Sequence, residues 1–351
     1  MPTISDVARQ AGVSTATVSR HLSGQPVRSH AAIVEAISEL NFRPSALARS
    51  LKSGRTRSIG VAVPDVTNPF FAAVVMGIES ACREDGYHVF LCNTEESSER
   101  ERALLGELYG RVDGIILAPA IEDPRTAADL RRADVPIVFI DREITDCEDY
   151  DSVVVDNAGG ARQAAEYLLE LGHERIAMIG GPLDTTPGRG RHEGFVAALD
   201  EAGVEMAPDF LQIGDFRQAS GYQAALRLLG LHPAPTAIFA ANNAMAMGAL
   251  HAFHEMHVRL PDELSFLSFD DLELGELLAP PLTTISRPMR EQGVLAMRLL
   301  RSRLEEGGDG RPRRRTVLAT HLNIRGSCAP PPRPVLTLAG ARRPSRDPRR
   351  P

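Results

Sequence analysis

The sequence predicts an α + α/β protein: an all-α head of small helices followed by two doubly wound α/β units. Three observations predict it. Residues 3–40 read as short, capped, amphipathic helices. From Ser58 onward, apolar runs of strand length alternate with helical stretches, and the alternation occurs twice over. Between the two patterns lies a basic segment, 44–57, too short to hold a core of its own.

In the head, Thr3 and Asp6 place a hydroxyl and a carboxylate where the free N–H groups of a helix start need acceptors. That helix carries Val7 and Ala8 inward and stops near Ala11 and Gly12, since glycine accepts the left-handed backbone of a tight turn. Ser14 caps a second helix, Thr15 to Leu22, whose Val18 and Leu22 face back onto Val7, Ala8 and Val13. Its other face offers Thr15, Ala16, Thr17, Ser19 and Arg20: hydroxyls for phosphates, a small apolar side chain for a thymine methyl, and a guanidinium fork for guanine. The coincidence of cap, glycine turn and basic polar second helix reads as a helix-turn-helix rather than an ordinary αα-hairpin. Ala31 to Leu40 repeats apolar residues at Ile33, Val34, Ile37 and Leu40, a third helix that closes the small core. Pro44 then opens and Gly54 ends a helix of about eight residues bearing Arg49, Leu51 and Lys52, marginal alone in water.

The stretches T-I-S-D-V-A-R-Q-A-G-V-S-T-A-T-V-S-R-H-L-S-G and R-P-S-A-L-A-R-S-L-K resemble the lactose-repressor (LacI) family of bacterial transcription regulators. The resemblance implies a second helix that reads the major groove through Thr15, Ala16 and Arg20, and hinge helices of a dimer that push Leu51 into the minor groove. It also implies a double-stranded, palindromic operator as partner, a homodimer or dimer of dimers, and a body like the sugar-binding fold of periplasmic receptors.

In that body, S-I-G-V-A-V-P-D, Y-H-V-F-L-C-N-T, D-G-I-I-L-A-P-A and P-I-V-F-I-D-R read as buried parallel strands, with helices near 70–86, 97–111 and 124–133. The second set is R-I-A-M-I-G-G, F-L-Q-I-G-D-F, T-A-I-F-A-A-N-N and L-S-F-L-S-F-D-D, with helices near 158–172, 189–202, 218–229 and 244–257. The expected organisation is a DNA-binding domain over 1–43, a hinge over 44–57 and an effector-binding and dimerisation domain over 58–328. Within it, one subdomain covers about 58–156 and 288–318 and the other about 157–287 and 319–328. A Pro/Arg-rich tail, 329–351, cannot bury a core and is expected to be disordered.

A doubly wound sheet binds ligands at the carboxyl ends of its strands, so polar residues there should converge in one cleft. Asp65 and Asn68 offer hydrogen-bond groups at the first strand end, and Phe70 or Phe71 could stack on a sugar face, Phe71 being the better core residue. Arg142, ending I-D-R, reads equally as a pocket residue or a surface salt bridge. The S-F-D-D pair should split, one carboxylate facing the cleft and the other pairing locally. By resemblance Asp270 is the effector ligand, Arg189 reaches the pocket from P-G-R-G-R-H-E-G-F, and Arg191 is structural. Asn243 stands where the family has aspartate. The arginines and that missing acid favour an acidic sugar derivative.

Residues 1–58 and 329–351 each carry a net charge of +5, leaving −17 for the middle of a chain whose total is −7. An acidic body repels nucleic acid, so DNA contact is confined to the N-terminal segment. The four cysteines lack finger or disulfide spacing, no apolar run reaches the ~18 residues of a membrane span, and no signal-peptide run opens the chain, which fits a cytoplasmic protein. No nucleophile–base pair or metal cluster marks the strand ends, so no enzyme, cofactor or metal is expected. The reading is an effector-controlled repressor, its effector a small molecule of carbohydrate class.

Overall fold

A computed structural model of the chain describes residues 2–43, 54–145, 147, 149–272, 274–305 and 312–332. In the head, α1 (Ile4–Gln10), α2 (Thr15–Leu22) and α3 (His30–Glu39) enclose Val7, Ala8, Val18, Ile33, Ala36 and Phe42. The start of α1 is a reciprocal cap: the Thr3 hydroxyl accepts from Asp6 N at 3.3 Å and the Asp6 carboxylate accepts from Thr3 N at 2.9 Å. Gly12 takes the turn at φ +64°, in the region that side chains with a Cβ resist. Val34, expected in the core, is 46% exposed. It lies one residue beyond Ile33, a rotation of about 100° that carries it off the stripe formed by Ile33, Ala36, Ile37 and Leu40. The short basic helix expected near 46–53, with Arg49, Leu51 and Lys52, falls outside the described residues.

The body holds two six-stranded sheets. The first has the order β11-β5-β4-β3-β1-β2, with β1 (Ser58–Val63), β2 (His88–Asn93), β3 (Gly114–Leu117), β4 (Ile137–Ile140), β5 (Asp151–Val155) and β11 (Arg315–Leu318), all paired parallel. Helices α4 (Pro69–Glu84), α5 (Ser98–Leu108) and α6 (Pro124–Leu130) connect its strands. The second has the order β12-β10-β9-β8-β6-β7, with β6 (Ile176–Gly180), β7 (Leu211–Ile213), β8 (Ala237–Ala240), β9 (Ser265–Phe269), β10 (Thr283–Ser286) and β12 (His321–Asn323). Its helices are α7 (Asn157–Glu170), α8 (Thr186–Glu201), α9 (Gln218–Leu229) and α10 (Asn243–Glu255).

The chain crosses between the sheets three times: from β5 to α7, from β10 to α11 (Met289–Glu305), and from β11 to β12. Ala296, Met297 and Leu300 of α11 return to the core of the first sheet. There α11 meets α4 at reciprocal glycines: a Cβ on Gly77 would lie 2.1 Å from Arg290 O, and one on Gly293 2.1 Å from Val74 O. At the opposite end of the first sheet, Asp113, just before β3, accepts from Thr56 N at 2.6 Å, from Thr56 Oγ1 at 2.7 Å and from Arg57 N at 3.0 Å.

Three expectations need correction. The strand Y-H-V-F-L-C-N-T is no buried strand: β2 is an edge, and Phe90 and Leu91 are about half exposed. Strands β5 (D-S-V-V-V), β10 (T-T-I-S), β11 (R-T-V-L) and β12 (H-L-N) lie outside those expectations, each being three to five residues long and carrying polar residues. The second sheet is also not wholly parallel, because β12 runs antiparallel to β10. Ordered chain continues past 328, since Ala329 O accepts from Ser265 Oγ at 2.9 Å and lies 2.9 Å from His173 Nε2; residues 333–351 lie outside the described chain. His173 is thereby a buried pin bonded also to Thr236.

Candidate functional site

The second helix of the head presents one polar face. Thr15, Ala16 and Arg20 are exposed and Thr17 and Ser19 half-buried, while Val18 is buried. Ser14 is already engaged: its Oγ accepts from Thr17 N at 3.2 Å and lies 2.9 Å from Thr17 Oγ1. That cap fixes the start of α2 and with it the orientation of the exposed face.

Between the two sheets, the strand ends meet around a small cavity. Its lining includes Asp65 after β1, Glu96 after β2, Asp141 and Arg142 after β4, Phe216 after β7, Asn242 after β8, Asp270 after β9 and Arg287 after β10. Asn68, Phe70, Phe71, Arg191 and Arg217 complete the wall. The free space is about 20 Å³, room for roughly one water against the ~300–1,000 Å³ of ordinary ligand sites. The side chains pair across nearly all of the gap.

Three buried arginines dominate the charge. Arg142 holds Glu96 bidentately at 2.6 and 2.8 Å and donates to Ala120 O at 2.7 Å, while its Nε makes no hydrogen bond and lies 3.9 Å from Asp141 Oδ2. Arg287 bonds Asp270 through Nε at 2.5 Å and Nη2 at 3.0 Å and bonds Asp141 through Nη1, with its guanidinium 3.5 Å from the Phe70 ring centroid. Burial opposes its charge, but Asp270 and Asp141 outweigh that and raise its pKa. Arg191 lies 3.6 Å from the Phe269 ring centroid and donates to Asn157 Oδ1 at 2.9 Å and Ala241 O at 2.5 Å. It has no carboxylate bonded to it, and its buried Nη2 has no partner. Burial, then the neighbouring Arg287, push its pKa down to about 9.

Several sequence expectations meet in this cavity and some do not. Asp65, Asn68, Phe70, Arg142 and Asp270 all line it, and Asp271 pairs locally with Arg325 at 2.7 and 2.8 Å. Phe71 lines it too, while belonging to the core. Arg189 and Arg191 exchange places: Arg189 sits on the rim, bonded to Glu122 at 2.6 Å, and Arg191 enters the cavity. Two residues on a helix are about 200° apart, so one must face out when the other faces in. Arg191 could have been found from its spacing, because it falls in the buried stripe Gly188, Arg191, Phe195, Ala198. Asn243 does not line the cavity; its Nδ2 donates to Asn68 Oδ1 at 3.0 Å, and Asn242 lines the wall while capping α10. Arg287, Asp141, Glu96 and Phe216 were missed, and only their positions after strand ends could have signalled them. With Arg189 answered by Glu122 and Arg142 by Glu96, the ground for an acidic effector falls away.

Among the described residues no group of three or more His, Cys, Asp or Glu could hold a metal ion, and no helix is long and apolar enough to cross a membrane. The cavity can do one thing well: offer carboxylates that accept, guanidinium groups that donate and aromatic faces that stack.

Residues 3–45 match the model of the bacterial regulatory proteins of the lacI family, and residues 165–328 match a periplasmic binding protein-like domain. The chain is 41% identical over 311 residues to the ribose operon repressor of Escherichia coli (strain K12), covering 87% of this chain and 94% of that one. The lac repressor dimer bound to operator and the anti-inducer ONPF has a similar structure, with a TM-score of 0.82 at 28% identity over 93% of this chain and 99% of that one. A LacI-family regulator from Enterococcus faecium with bound ribose aligns with a TM-score of 0.68 at 30% identity, over 78% of this chain and 99% of that one.

Proposed function

The chain belongs to the lacI family of bacterial regulatory proteins, an effector-controlled, DNA-binding repressor, and from that premise we propose that its effector is a neutral polyol of the pentose class bound in the cavity between the two sheets. The observation that carries the proposal is the cavity's own balance: Arg142, Arg191, Arg217 and Arg287 face Asp65, Glu96, Asp141 and Asp270, so the cluster is neutral while rich in both donors and acceptors. A polyol supplies hydroxyls that donate to the carboxylates and accept from the guanidinium groups of Arg142 and Arg191, and its C–H face lies on Phe70 or Phe216. The similarity to a ribose operon repressor and to a ribose-bound regulator supports the pentose class.

In this reading α2 reads the operator through Thr15, Ala16 and Arg20, Leu51 serves as the minor-groove wedge, and the protein works in the cytoplasm as a homodimer without catalysis. The effector favours one closure of the two sheets, and closure sets the spacing of the two DNA-reading heads. Titration calorimetry with D-ribose tests the site. Arg191→Ala removes charged hydrogen bonds worth about 1.5–3 kcal/mol and should weaken binding by roughly 10- to 150-fold while leaving ligand-free operator binding intact. Unchanged affinity in that variant would move the effector site elsewhere.

A further inference from the structure

Arg287 stands on the crossing from β10 to α11, so it belongs to the hinge between the two sheets rather than to either wall. Its guanidinium bonds Asp141, which follows β4 of the first sheet, and Asp270, which follows β9 of the second. Both carboxylates and the guanidinium are no more than 5% exposed, and Arg287 is packed flat on Phe70 at 3.5 Å. A single side chain thus ties the two halves together with the chain's own groups. It does so on the very carboxylates the proposed effector would need.

Resting on the assignment of the cavity as the effector site, we propose that Arg287 is an internal counter-ligand: its guanidinium holds the cleft shut by bridging Asp141 and Asp270, and a polyol binds by taking those two carboxylates from it. Without the guanidinium, Asp141 and Asp270 face one another as like charges in a dry gap, which drives the halves apart. The rim contacts from Arg189 to Glu122 and from Arg217 Nη2 to Glu95 O at 2.9 Å add smaller, more exposed ties to the same closed arrangement. A plugged state of this kind competes with the effector, so the measured affinity is the intrinsic one reduced by the plugged fraction. Arg287 therefore sets how much effector is needed, apart from any contact it makes.

Hydrogen-exchange mass spectrometry on the full-length protein tests the closure, following peptides over 64–70, 93–97 and 214–218. The wild type should exchange slowly there without added sugar, and Arg287→Gln should exchange several-fold faster. Asp141→Asn, which breaks the same bridge from the other side, should do likewise, with both variants keeping wild-type exchange in the strands of the two sheets. Slow exchange of the three peptides in both variants would overturn the proposal. In calorimetry with D-ribose, Arg287→Gln should bind about threefold more tightly or better, because a competing state has been removed. A tenfold loss would instead make Arg287 a direct donor to the sugar and overturn its role as competitor. If D-ribose gives no heat with either protein, the pentose assignment fails, and the exchange rates still decide the bridge.

Discussion

Glu101 lies fully buried on α5 beside Arg142, its Oε2 accepting from Ala120 N at 2.7 Å. Burial pushes its carboxyl up to about 7 from an ordinary 4.5. The folded state therefore keeps this proton through a range in which the unfolded chain has lost it, and Glu101 costs stability as pH rises from about 4.5 to about 7. Glu101→Gln keeps an acceptor for Ala120 N and abolishes the titration. It should melt with wild type near pH 5 and exceed it at pH 8 by on the order of 2–3 kcal/mol. Melting curves whose difference is the same at both pH values would exclude that account. At this scale the sequence was legible where a residue answers a local need. Ser14 and Thr3 cap their helices, and Asp270 ends a strand. It was not legible where the choice depends on what comes through the far wall, as with Arg287, whose partners are 17 and 146 residues away.

Among elements, the long apolar runs of the sheet centres were read from their hydrophobicity alone, since a parallel strand covered on both faces has no polar side to show. The short strands with polar residues, β5 and β10 inside their sheets and β11 and β12 at the edges, gave no such signal. The run at β2 is apolar without being covered, and that is informative in itself: Phe90 and Leu91 stand on an unpaired edge, with Met76 of α4 exposed as well. Exposed apolar side chains on a sheet edge are a liability unless another surface covers them, and a second copy of the chain is the partner that homodimerisation supplies. Sedimentation of a Phe90→Lys, Leu91→Lys double variant should show monomers with weakened operator binding at concentrations where wild type is dimeric. A variant that stays dimeric would place the interface elsewhere, and among the described residues Leu277, Leu274, Ile324 and Met256 are more exposed still.

For the whole molecule, two heads related by a two-fold axis demand an operator with the same symmetry. Footprints on a site selected from random DNA should show two equal half-sites about one helical turn apart, ~10 base pairs centre to centre. Arg20→Ala should cost about 1–3 kcal/mol and relax the preference at one base pair in each half, read from competition against single-base variants of the site. An asymmetric footprint, or full affinity in the variant, would refute the reading of α2. How movement in the body reaches those heads turns on Asp113. Both of its oxygens grip the backbone of Thr56 and Arg57 where the chain enters the first sheet. The chain there is bolted rather than tethered: a tilt of the first sheet carries Thr56 and Arg57 through the same angle, as a steering column turns with its wheel, and no slack absorbs it at the mount.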